Sequence, residues 1–273
     1  MVRTTILAVA ALAAAGLSLQ IPSAYGDHSW GNYHWQRSAN PKSIDLGDNL
    51  STNWDPYLAT ASEDWNVDHP DYEKVIDTEI VPGTSNRRCR PTAGMVEVCS
   101  RKYGNNGWLG LAQIWASGTH ITKGIAKLND TYFNTNKYNK PEWRNLVMCQ
   151  EVAHAFGLDH QDEGFYNANL GSCMDYTNKP LGPPSNEHPN AHDYEQLALI
   201  YEHLDATGQT ITMKSAKGFE FAKGVADDFE RDWGRAVAFT SKGQPRLFVK
   251  DLGGSNKRIT HVLWTEDAPP RRH

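Results

Sequence analysis

Gln150-Glu151-Val152-Ala153-His154-Ala155-Phe156-Gly157-Leu158-Asp159-His160 is the stretch on which the reading of this chain turns. Residues four apart on a helix share a face, so Gln150 and His154 can point at one ion. Glu151 lies beside them, placed to take a proton from a metal-bound water. Gly157 supplies the left-handed backbone that ends a helix. The chain then turns back and brings His160 to the same point from another direction.

Written as Q-E-x-x-H-x-x-G-x-x-H, the stretch resembles H-E-x-x-H-x-x-G-x-x-H, the zinc signature of the metzincin metalloproteases. Ser172-Cys173-Met174-Asp175-Tyr176 follows it and is similar to that family's Met-turn in its S-x-M-x-Y form. The nearest pattern is that of secreted bacterial metzincin-like proteins carrying Q-E-V-x-H-x-F-G-L-D-H. The resemblance extends over roughly residues 30–205. It implies one catalytic Zn2+ held by His154, His160 and Gln150, with Glu151 as general base and then proton shuttle. It places Met174 under the metal and makes Tyr176 a movable further ligand with a part in catalysis. The implied activity is that of an endopeptidase using metal-activated water on protein or peptide substrates.

Gln150 departs from the family pattern, which has histidine there. A side-chain amide is neutral, and its carbonyl oxygen can ligate a cation, but it is a poorer donor to zinc than imidazole. Two imidazoles and an amide leave the zinc charge as undiminished as three imidazoles do, so a bound water could still be acidified toward a pKa of about 7. Affinity is what should fall. The rival reading is a catalytically silent, metzincin-like extracellular binding protein.

The flanks agree with an exported chain. Met1-Val2-Arg3, an apolar run from Ile6 to Leu19, and small residues at Ala24 and Gly26 read as a secretory signal over residues 1–26. The run is shorter than the roughly 20 residues of a spanning helix. Secretion, with no membrane contact after signal cleavage, is the expectation. Net charge is −5 and no long basic run occurs, so nucleic acid is not an implied partner. A monomer is expected.

Four cysteines in an exported chain suggest two disulfides with three connectivities. The favoured pairing is Cys89–Cys99, stapling a hairpin, and Cys149–Cys173, tying the metal-site helix to the Met-turn. Free thiols, or a catalytic Cys149 with His154, are the alternatives.

Residues 27–213 read as the metallopeptidase domain. Its fold class is α/β (α+β), with a mixed, mainly parallel twisted sheet. Strands are expected near Ile44 and over 74–81, 95–98, 108–115 and 121–128. Helices are expected over 54–65, 141–156 and from Asn190 or Asp193 to Leu204. In metzincins a strand at the sheet edge pairs with the extended substrate. Gly110, Leu111 and Ala112 would do so here, with Gly110 letting a peptide backbone come close; an ordinary core strand is the competing reading. The loop 177–189 is the candidate specificity loop. Residues 214–273 read as a small β-rich C-terminal extension, a meander that is either packed on the domain or a binding module, with no metal-ligand spacing. The remaining histidines, His34, His120, His203 and His261 among them, form no ligand-spaced pair and read singly as surface or packing residues.

Overall fold

A computed structural model describes residues 28–85, 88–205 and 232–268. The signal segment and the boundary expected at residues 213–214 lie outside them.

One sheet runs through the described residues. Its strands are β1 (His34–Trp35), β2 (Lys42–Asn49), β3 (Ile76–Pro82), β4 (Met95–Arg101), β5 (Trp108–Ser117), β6 (His120–Asn129), β7 (Arg235–Phe239), β8 (Pro245–Gly253) and β9 (Asn256–Trp264). Their order is β3-β2-β4-β6-β5-β9-β8-β7, with β1 beside the start of β6. The sheet is mixed. β3, β2, β4, β6 and β1 pair in parallel, and the run from β6 through β5, β9 and β8 to β7 is antiparallel.

The helices are α1 (Asp55–Trp65), α2 (Asp130–Phe133), α3 (Pro141–His154) and α4 (Ala191–Ile200). α1 opens on Pro56 and buries Leu58, Ala61, Ser62 and Trp65, the i, i+3, i+4, i+7 stripe of a helix lying on a core. α3 opens on Pro141, with Glu142 in its positive first turn. From Trp143 onward it buries nearly every residue, because the sheet covers one side and α1 packs on another. α4 starts from a capping box in which Asn190 and Asp193 satisfy each other's backbone N–H groups.

The C-terminal strands continue the main sheet. β9 pairs with β5 from Trp108 to Ser117 and so extends the main sheet. The reason is chemical: an unpaired β5 would leave a row of backbone N–H and C=O groups open at a sheet edge. A second apolar cluster, with Trp108, Leu111, Trp233, Phe248, Val262 and Trp264, seals the outer face of this junction.

Candidate metal centre

The end of α3 is held by residues from both before and after it in the chain. Carbonyls released where a helix stops need donors. Trp35 Nε1 donates to the Ala155 oxygen at 2.8 Å, Tyr201 Oη to Phe156 at 2.9 Å and Trp30 Nε1 to Leu158 at 3.1 Å. Gly157 has φ of 112°, and a Cβ there would lie 2.1 Å from the Tyr33 oxygen. Only glycine fits such a turn.

That turn swings His160 back onto His154. Their Nε2 atoms lie 3.0 Å apart. His154 Nδ1 donates to the Leu158 oxygen at 2.8 Å, which leaves its Nε2 bare. His160 Nδ1 lies 3.4 Å from Asp159 Oδ1, the carboxylate that Arg246 holds from β8 at 2.7 Å. Burial alone would raise Asp159, but the hydrogen bond from His160 and the neighbouring Arg246 charge hold it well below the usual carboxylate range. A histidine whose second nitrogen is tied to a carbonyl or carboxylate is in the form that ligates metal.

The third imidazole is one that sequence reasoning assigned to packing. His261 comes from β9, opposite Ala112 of β5, and stacks on His154 with ring centres 4.0 Å apart. Donor atoms of His154, His160 and His261 all lie within 4.8 Å of one another. Neither nitrogen of His261 has a hydrogen-bond partner, although the residue is buried. A signal was present in the sequence: one imidazole inside the apolar run Ile259–Trp264.

The three rings fit a divalent cation in chemistry and nearly in placement. Tetrahedral zinc with Zn–N bonds of about 2.0–2.1 Å sets nitrogens about 3.3 Å apart, close to the 3.0 Å observed between His154 and His160. Burial lowers the pKa of all three histidines, that of His261 to about 3, so they are neutral, as ligands must be. His261 is nearly parallel to His154, at 14°. Its in-plane lone pairs therefore run alongside those of His154, and its ring must turn to share an ion with it.

Gln150 spends one end of its amide on structure. Its Nε2 donates to the Cys173 oxygen at 2.8 Å, and its buried Oε1 has no partner. The structure joins Cys149 to Cys173 and Cys89 to Cys99. The Met-turn is tied to α4 as well: Met174 N donates to Ser172 Oγ, which donates to Asp193 Oδ2. Met174 is buried in the same core. Tyr176 packs its ring on His160 at 4.5 Å, but its hydroxyl donates to the Val262 oxygen of β9 at 3.2 Å. The hydroxyl is thus engaged on β9 in this structure.

Glu151 is wholly buried, and neither carboxyl oxygen has a partner. Burial pushes its carboxyl well above the usual range. It lies under Gly110, where a Cβ would come within 2.2 Å of Oε1. The expectation for β5 is corrected here. Gly110, Leu111 and Ala112 are not an open edge, because β9 occupies it. Gly110 makes room for Glu151, not for a substrate backbone.

No protein-family model and no curated protein matches the sequence. Among solved structures the chain is similar to one titled "Structure of Myroilysin", at 10% identity over 63% of this chain and 84% of that one, with a TM-score of 0.34. A likeness that loose carries no chemistry across.

Proposed function

We propose that the chain is a zinc-dependent endopeptidase whose metal is held by His154, His160 and His261. The observation that carries this is the meeting of three buried imidazoles, with the partnerless Glu151 carboxyl three residues before His154 on the same helix. Zinc bound there would acidify a water and polarise a scissile carbonyl. The chain's own residues do the rest. Leu158 and Asp159 fix the faces that His154 and His160 present. Glu151, kept protonated by burial in the metal-free site, becomes a base once a cation's charge favours the carboxylate. Gln150, the first ligand expected from the motif, anchors the helix to the Met-turn through Cys173 and leaves the third imidazole position to His261.

Two disulfides suit an oxidising compartment. Among the described residues no helix is long and apolar enough to cross a membrane. The disulfides support an exported protein.

A second reading, a silent metal-stabilised binding protein, is favoured by one observation: β9 covers the β5 edge and the ligands are buried beneath it. Zinc analysis with casein cleavage separates the two. The enzyme reading expects about one zinc at this site and turnover that Glu151→Gln lowers by about 10²- to 10⁴-fold while the zinc remains. Zinc without turnover in the wild type supports the binding protein. No zinc at His154 and His160 defeats both.

A further inference from the structure

A second group of histidines gathers where β1 meets the start of β6. His34 in β1 and His120 in β6 are cross-strand partners. His203 and Asp205, just beyond α4, close over them. The His34 ring meets those of His120 and His203 edge to face, each at 4.9 Å between centres. Unlike the stacked pair at the first centre, rings so inclined can aim their lone pairs at one point.

One nitrogen of His34 is left without a hydrogen-bond partner. Its Nδ1 lies 2.8 Å from the Asn32 carbonyl oxygen, which can only accept, so Nδ1 carries the hydrogen. Its Nε2 is therefore bare in the neutral ring. That nitrogen is buried, has no hydrogen-bond partner, and faces Asp205 Oδ1 at 3.6 Å. A lone pair directed at a carboxylate oxygen is repulsive unless a cation stands between them. The carboxylate is already placed for that role. Its Oδ2 accepts from the Arg37 backbone N–H at 2.8 Å, and its Oδ1 accepts from His120 Nε2 at 2.9 Å. The Arg37 guanidinium lies near this carboxylate but gives its hydrogen bonds to Asn40 and the Tyr201 carbonyl. His203 Nε2 lies 4.0 Å from the same Oδ1. Donor atoms of His34, His203 and Asp205 all fall within 4.8 Å of one another.

We infer that His34, His203 and Asp205 form a second site for a divalent transition-metal ion, with His120 orienting the carboxylate. Two imidazoles and one carboxylate are a borderline donor set that suits zinc and its neighbours, not calcium or magnesium. The ion would clip β1, and with it the aromatic residues that cap α3, to the end of the α4 segment. The side chain of His203 is 54% exposed, so its position stays open to water and to metal exchange.

The test is a zinc count on the full mature protein, loaded with Zn2+, desalted and analysed for metal. The wild type should hold about two ions, and His203→Ala should hold one fewer. Because His203 is exposed, its removal leaves the core intact. Asp205→Asn is the second variant, and it should weaken zinc binding at this site about 10-fold or more by chelator competition. His160→Ala reports the first centre independently. A wild-type count of one that vanishes in His203→Ala supports the second site and defeats the first. An unchanged zinc count in both His203→Ala and Asp205→Asn overturns the inference, as does a single ion that is lost only in His160→Ala.

Discussion

His261→Leu should move two observables in opposite directions. In the metal-free protein the wild-type imidazole is buried with both nitrogens unpartnered. An unsatisfied buried polar group costs about 1–3 kcal/mol. Leucine removes that cost and forfeits part of the stacking on His154, a term of about 0.5–1.5 kcal/mol. Without metal, stability should therefore hold or rise by up to about 2 kcal/mol. With zinc the balance reverses. Losing one of three imidazoles should weaken binding by more than the roughly 10–100-fold seen for groups that merely orient a ligand, or more than about 1.4–2.8 kcal/mol. Thermal unfolding in excess EDTA and in excess zinc, together with a zinc dissociation constant from chelator competition, measures both arms. An unchanged dissociation constant would remove His261 from the ligand set. A marked loss of stability in EDTA would show that the ring makes structural contacts that its orphaned nitrogens do not suggest.

Glu151→Gln keeps the side chain's shape, and turnover should drop about 10²- to 10⁴-fold at constant zinc content; equal casein cleavage would withdraw the base assignment. Gly110→Ala sets a Cβ 2.2 Å from Glu151 Oε1 and 2.7 Å from its Cγ and Cδ. Overpacking of this kind should lower stability by about 1–3 kcal/mol in a denaturant titration, and a neutral result would mean the carboxyl can leave freely. Burial raises Asp175 to about 6, so the folded chain keeps a proton that the unfolded chain loses from about pH 4 upward. Stability therefore falls as pH rises through that window, and Asp175→Asn should gain on the wild type between pH 4 and 6; parallel melting profiles would contradict this. Replacing Cys149 and Cys173 with serine opens a bridge between residues 24 apart in sequence and should cost about 3 kcal/mol in the chain-entropy model. It should also weaken zinc, because the bridge ties α3 to the Met-turn; an unaltered zinc affinity would separate the bridge from the site.

The sequence by itself determined what is local. Helical spacing put Gln150, Glu151 and His154 on α3, Gly157 marked its end, and Pro141 and Asn190 marked where helices begin. Each of these signals acts within one or two turns of backbone, so no distant residue is needed to read it. The strand runs from Ile44 to Leu128 were visible for the same reason, whereas β1 is only two residues long and α2 only four, too short to show a period. Tertiary structure decided the rest. Only strand order shows that β9 fills the edge of β5, which turns Gly110 from a substrate contact into a recess for Glu151. Only that pairing carries His261 across about a hundred residues to His154. The same holds for His34, His120, His203 and Asp205, which lie on three separate segments. A ligand set drawn from one helix has a spacing that can be recognised. A set assembled by sheet register has none until the chain has chosen its neighbours, because strand pairing depends on which edges remain to be satisfied and which faces remain to be buried.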